Sequence, residues 1–177
     1  MSFKARLAAH IMRSGGVVSL PTDTIQGLSC LPFFDSLMRL VHLKKRAHNK
    51  GLSLISSNLD YFIPYVEDAA LLEQIELGSV PTTYIVKAHK NTPKMLLGGH
   101  DTVAIRLTDN SLIDELCQLT GSALVSTSAN LSGYPVAQSS LKLRLYFKGQ
   151  LDYIIAPVTT NSNPSSIINL HTGEKLR

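Results

Sequence analysis

No stretch of this sequence approaches the ~18 consecutive apolar residues that a helical membrane span requires, so no membrane association is expected. Cysteine is scarce. Cys30 and Cys117 form no CxxC pair and lie among apolar residues, so they read as buried free thiols rather than a disulfide, which suits a cytoplasmic location. The motifs GxxxxGK(S/T) and GxGxxG are both absent, which excludes a P-loop and the dinucleotide-binding fingerprint. Six histidines, His10, His42, His48, His89, His100 and His171, show no HExxH or other metal-ligand spacing, so no protein metal site is expected. A GxSxG elbow is missing as well. Ser126 and Ser128 have no histidine placed to pair with them and read as hydrogen-bonding serines. Without an evident nucleophile or metal cage, catalysis would have to rest on positioning and charge stabilisation.

What is present fits one α/β domain spanning 1–177. At 177 residues and 44% hydrophobic, such a chain buries roughly 70% of the surface it exposes when unfolded. Seventeen Lys and Arg against thirteen Asp and Glu give a net charge of +4. That excess suits anionic small molecules or transient RNA contact better than a dedicated duplex binder. The basic N-terminus, MSFKARLAAHIMRSGG, carries Phe3, Leu7, Ala8, Ile11 and Met12 at helical spacing, and is read as a docked helix rather than a targeting peptide.

Further along, helices are expected over Phe34 to Leu43 with Asp35 as cap, Asp68 to Leu77, Ser111 to Thr120 and Leu141 to Phe147, with short turns at Asn58 to Tyr65 and Pro93 to Leu97. Strands are expected over Val17 to Leu20, Leu52 to Ile55, Thr83 to Ala88, Thr102 to Leu107, Ala123 to Val125, Tyr153 to Ala156 and Ser166 to Leu170, and a loop over Asn161 to Pro164. Helices and strands interleave without repeat or linker. The expected fold is a single twisted open sheet, mixed or mostly parallel, flanked by helices.

Polar groups gather at the edges of these strands. Leu43 to Ile55, LKKRAHNKGLSLI, places Lys44, Lys45, Arg46 and Lys50 between a helix and a strand. The helix dipole favours cations in its last turn, but Lys50 lies beyond it. PTDTIQGL upstream, DTVAIR, STSAN and NPSSI contribute hydroxyl, amide and guanidinium groups. Arg106, between Ile105 and Leu107, would be costly on an interior strand unless paired, and a ligand carboxylate or phosphate is the partner expected for it.

Taken in order, PTDTIQGL, LKKRAHNKGLSLI, DTVAIR, STSANLSG and NPSSIINL resemble the motifs of the YrdC-like threonylcarbamoyl-AMP synthases, in the short bacterial TsaC form, from Gly15 to Arg177. The resemblance implies a nucleotidyltransferase that joins L-threonine, bicarbonate and ATP into threonylcarbamoyl-AMP and pyrophosphate. Partner proteins of the TsaB, TsaD and TsaE type would then pass the group to the adenosine beside the tRNA anticodon. By similarity Lys44 and Arg46 are the catalytic KxR pair, and Arg46, Lys50, Thr102, Ser128, Asn130 and Arg177 face ATP. Thr22, Thr24, Arg106, Ser126 and Ser165 resemble the threonine-holding positions, and Mg2+ would be held mainly by ATP phosphates.

The sequence departs from that pattern at Asp23, where glutamate is usual, and at Gln26, where an aromatic is usual. It also has Ala47 for proline, Ile55 where longer members have histidine, and Ser79 to Pro81 for PGP. Gln26 is the departure expected to weaken a substrate contact. The rival reading is a non-catalytic RNA-binding module of the same fold. That module needs surface aromatics among its cations, whereas Phe33, Phe34 and Tyr61 are expected to be core.

Overall fold

The computed structural model describes residues 1–157 and 164–177. Helix α1 (Phe3–Arg13) is capped by Ser2, whose hydroxyl accepts from the Ala5 amide at 3.2 Å. It packs on α4 (Ser111–Thr120) through Ala5, Ala8, Ala9 and Met12, while Phe3 stays exposed. Small alanines allow a close helix approach that the bulkier expected face would not. Helix α2 (Phe34–Leu43) matches its expected span, but Phe33 is the cap residue, with no side-chain bond, and Asp35 sits inside the first turn. There its charge still complements the dipole.

The strands are β1 (Val18–Pro21), β2 (Gln26–Cys30), β3 (Ser53–Ser56), β4 (Thr82–Lys87), β5 (Thr102–Leu107), β6 (Leu124–Ser128), β7 (Tyr153–Ile154) and β8 (Ser166–Asn169). Short 3-10 turns cover Leu59–Tyr65 and Ala69–Gln74. Helices α3 (Lys94–Leu97) and α5 (Ser140–Phe147) complete the described elements. The helix expected over Asp68 to Leu77 is only the second of those turns. Within the turn only Leu72 is buried, with Ile75 at its C-cap, so the segment lacks the apolar face that would hold a longer helix on the core. Of the loop expected at Asn161 to Pro164, residues 161–163 lie outside the described residues.

Among the described residues the eight strands form one sheet, ordered β7-β1-β2-β6-β3-β5-β4-β8. Three neighbouring pairs are parallel (β1 with β7, β3 with β5, β4 with β8) and four antiparallel, so the sheet is mixed. One face presents Leu28, Cys30, Leu54, Val103, Ile105 and Val125 to the larger core, together with α2 residues Leu37 and Leu40. On the other face Val18, Leu20, Ile55 and Leu124 pack with residues of α1 and α4. Beyond this second cluster, the side chains of β4, β5, β6 and β8 on that face line a cavity. Both cysteines are buried free thiols, and burial pushes Cys30 up to about 12. Among the described residues no helix is long and apolar enough to cross a membrane.

Candidate active site

The strand period of two explains the floor of the cavity. On β5, Thr102, Ala104 and Arg106 alternate with the buried Val103 and Ile105. Ser126 and Ser128 do the same on β6, and Thr83 and Ile85 on β4. Gly27 belongs to this face of β2: a Cβ there would lie 3.2 Å from the Ser126 hydroxyl. Thr22, Thr24, Arg46, Ser165 and Arg177 add further polar groups to the lining of a space of about 490 Å³. Nine of the expected site residues therefore meet in one cavity, from parts of the chain as distant as Thr22 and Arg177.

At one end, Arg106 is buried and its Nη1 donates to the Thr24 hydroxyl at 3.0 Å. The expectation that it would wait for a ligand carboxylate is corrected in one respect, because Asp23 already lies 3.1 Å from Nη2. Burial pulls the Arg106 pKa down and the Asp23 carboxylate opposes that. Arg106 Nε is buried without a hydrogen-bond partner among the described residues. A guanidinium with five donors can serve Asp23, Thr24 and a further anion together. Thr22 supports the same loop, its hydroxyl 3.1 Å from that of Thr24 and donating to the Ile25 carbonyl at 2.8 Å.

At the other end, Arg46 donates to the Gly51 carbonyl at 2.7 Å and to the Lys50 carbonyl at 3.2 Å, with burial lowering its pKa. These bonds fix the turn between α2 and β3 and leave the guanidinium on the cavity wall. Ser128 donates to Asn130 Oδ1 at 2.6 Å, and Asn130 Nδ2 donates to the Tyr134 carbonyl at 2.6 Å. Arg177, by contrast, reaches toward the Thr83 and Arg106 side of the lining, its Nη2 donating to the Ser165 carbonyl at 2.9 Å.

Three expected residues are not in the lining. Lys44 is only 1% exposed; its Nζ donates to the carbonyls of Ser128 and Asn130 and to Asn130 Oδ1. Burial first, then the neighbouring Arg46, push its pKa down to about 7. All three hydrogen-bond partners of Nζ are acceptors, so the ammonium, with three N–H groups, is the form that satisfies them all. Lys44 thus braces the Ser128 to Asn130 loop from beneath. Asn130 belongs to that brace, and Lys50 is exposed outside the cavity. Gln26 is also turned away: Nε2 donates to the Ser19 hydroxyl at 2.9 Å and the Ile155 carbonyl at 3.0 Å. Gln26 is not among the residues that line the cavity.

Thr83 and His100 line the cavity without having been singled out in the sequence. The alternation of Thr83 and Ile85 with Tyr84 and Val86 was the available signal for the first, and the Gly98-Gly99 turn preceding it for the second. Phe33 and Phe34, expected in the core, are 50% and 68% exposed, because they sit at the solvent end of α2; Tyr61 is partly buried. None of the three lines the cavity.

A second space of about 320 Å³ lies on the other side of the Asp23–Arg106 pair, with Asp23, Glu76, Asp109 and Tyr84 in its wall. Among the described residues, the first cavity has no carboxylate side chain in its lining. Among the described residues no cluster of three His, Cys, Asp or Glu could hold a metal ion.

The chain is similar to known proteins over nearly its whole length. The sequence is 39% identical over 181 residues to the Threonylcarbamoyl-AMP synthase of Pseudomonas aeruginosa (strain UCBPP-PA14), covering 99% of this chain and 97% of that one. It is 40% identical over the same length and coverage to the protein of that name from Pseudomonas putida (strain GB-1). The fold matches the crystal structure of P. abyssi Sua5 complexed with L-threonine, with a TM-score of 0.85 at 24% identity, over 97% of this chain. This chain spans about half of that protein, 52% of its length. The Sua5/YciO/YrdC family model, described as telomere recombination, matches residues 10–177, and the chain belongs to that family.

Proposed function

We propose that this protein is a threonylcarbamoyl-AMP synthase, a nucleotidyltransferase that makes L-threonylcarbamoyladenylate and pyrophosphate from L-threonine, bicarbonate and ATP. The observation that carries the reading is the sharing of one cavity by Arg106, hydrogen-bonded to Thr24, and by Arg46 and Ser128. Two relatives of nearly the same length bear that name.

In this reading Arg106 receives the threonine carboxylate, with Thr22, Thr24, Ser126 and Ser165 around the amino acid. ATP lies along Arg46, Thr102, Ser128 and Arg177. The threonine amine and bicarbonate give a carbamate and water. A carbamate oxygen then attacks the α-phosphorus of ATP, and the bond to pyrophosphate breaks. Arg46 offsets the charge that develops on the departing phosphates, a term that dominates phosphoryl and nucleotidyl transfer. Lys44 acts through the loop that it braces and Lys50 through the field at the cavity mouth. Mg2+, held by phosphate oxygens and water, would supply further charge neutralisation; a lining without carboxylates among the described residues suits an ion bound in that way. The unstable product passes to threonylcarbamoyl-transfer proteins of the TsaB, TsaD and TsaE type for delivery to tRNA.

The test is pyrophosphate release from ATP, with threonine and bicarbonate omitted in turn. Release that needs both supports the reading. Release indifferent to threonine points to carbamoyl transfer to another acceptor, and no release under any condition favours the RNA-binding module.

A further inference from the structure

The cavity contains a hydroxyl pair in which Ser165 is already placed beside the amino acid and its partner, Thr83, has no role in the steps above. Thr83, near the start of β4, is 5% exposed, and its Oγ1 lies 2.8 Å from the Oγ of Ser165. Both side chains line the cavity. Between two hydroxyls only one O–H is engaged in the mutual bond; the other O–H and the remaining lone pairs are left to a third group. Arg177 holds the Ser165 backbone carbonyl through Nη2 at 2.9 Å and Nε at 3.3 Å, which fixes the far member of the pair.

Register sets the distance from this pair to the anion site. Tyr84 pairs with Ile105, so one step further along the antiparallel ladder Thr83 stands across from Arg106. Neighbouring strands are about 4.8 Å apart. An α-amino acid with its carboxylate on Arg106 carries its β-substituent about one strand spacing away, over β4. On the outer side, Thr83 pairs with Ile167, whose side chain also lines the cavity. A hydroxyl pair next to an aliphatic wall is the complement of a β-carbon bearing one hydroxyl and one methyl.

We propose that Thr83, together with Ser165, reads the β-hydroxyl of the amino acid and thereby selects threonine over valine, its apolar near-isostere. This rests on the reading of the cavity as an amino-acid site. A cavity shaped only by apolar contact would separate the two weakly. A buried hydroxyl that is left unpaired by valine adds a desolvation cost.

The experiment measures threonine- and valine-dependent pyrophosphate release by the full chain carrying Thr83→Val, Thr83→Ser or Ser165→Ala, with a thermal melt for each. Thr83→Val should raise the KM for threonine by about 10- to 100-fold, reduce the threonine-to-valine preference by a similar factor, and leave the KM for ATP within about 2-fold. Thr83→Ser should restore the wild-type preference, and Ser165→Ala should lower it as Thr83→Val does. An unchanged preference in Thr83→Val, or an equal rise in the KM of threonine and ATP, would overturn the assignment. If Thr83→Val does not fold, a lost preference in Thr83→Ser or a retained one in Ser165→Ala overturns it instead. Threonine-independent release by the wild type would sink the amino-acid site itself; threonine-dependent release with an indifferent Thr83→Val sinks only this inference.

Discussion

Lys44 is almost fully enclosed, and its three N–H groups meet three oxygens, the carbonyls of Ser128 and Asn130 and Asn130 Oδ1. Replacing it with methionine keeps the stem but leaves those acceptors without a donor. We expect Lys44→Met to lose about 2–4 kcal/mol of stability and to lose turnover as the Ser128 loop drifts; denaturant melts and pyrophosphate release check both. The titration of this lysine gives the two properties opposite signs. Its pKa falls from the ordinary 10.5 to about 7 in the folded protein. Between those values the unfolded chain binds more protons, so stability rises with pH across that window and the rise is complete near the unfolded value. Turnover should fall over the same range, since the neutral amine has only two N–H groups for three acceptors. A Lys44→Met variant whose stability climbed with pH as steeply as wild type would remove Lys44 as the cause. Arg106 supplies a second prediction at this scale. In Asp23→Asn the counter-charge at 3.1 Å from Nη2 is gone and a neutral amide stands in its place. Burial then acts unopposed on the guanidinium. We expect about 1–3 kcal/mol of destabilisation without ligand and recovery of much of it when threonine is added, read by thermal melts with and without threonine.

Between β3 and α3, two glycines let one element lie directly on another. Gly98 has φ +62, and a Cβ on it would come within 2.1 Å of the Gly51 backbone nitrogen and 2.5 Å of the Lys50 carbonyl carbon. Gly51 in turn faces the carbonyls of Leu96 and Leu97, and the Leu52 amide donates to the Leu96 carbonyl at 2.8 Å. This contact presses the cationic turn onto α3 and sets the position of Arg46, which binds the Lys50 and Gly51 carbonyls. Gly98→Ala should therefore displace the turn, costing more than about 3 kcal/mol and most of the turnover. Gly99, at φ +87, is the control, because a Cβ there would meet nothing within 4 Å. Gly99→Ala pays only the backbone cost, about 1–2 kcal/mol, with turnover kept; equal losses in the two variants would mean that the close contact is irrelevant. Elements were legible in the sequence where side-chain period and burial agreed. Phe34–Leu43, Thr102–Leu107 and Ser111–Thr120 have their expected limits because an apolar face of the right period is buried along each. Strand β2 was not legible, since Gln26, Gly27 and Ser29 show no apolar alternation; all five of its residues are nonetheless buried between β1 and β6. The site residues divide in the same way. Arg106 was marked as exceptional by its apolar neighbours, whereas Thr83 is the second residue of an ordinary strand and acquires its meaning from Ser165, which is 82 positions away.

The cavity draws Thr22, Arg46, Arg106, Ser128, Ser165 and Arg177 from nearly the whole length of the chain onto one face of one sheet. A ligand held by all of these is lost when any large part of the sheet unfolds, so its binding energy should appear in the global transition rather than in a local one. For a ligand at about 100 times its Kd that amounts to about 2.7 kcal/mol, and in a chain of this size each kcal/mol moves Tm by about 2–4 °C. Saturating ATP and threonine should each raise Tm by about 5–10 °C and together by more than either. Arg106→Ala should erase the threonine shift and keep that of ATP, because Arg106 is at the Thr24 end of the cavity. Arg46→Ala should do the reverse while remaining folded, its hydrogen bonds being to the carbonyls of Lys50 and Gly51 in a partly exposed turn. The crossed pattern is the decisive feature. If both variants lost both shifts, the two ends would be a single site for one ligand, and the division of the cavity between an amino acid and a nucleotide would fail.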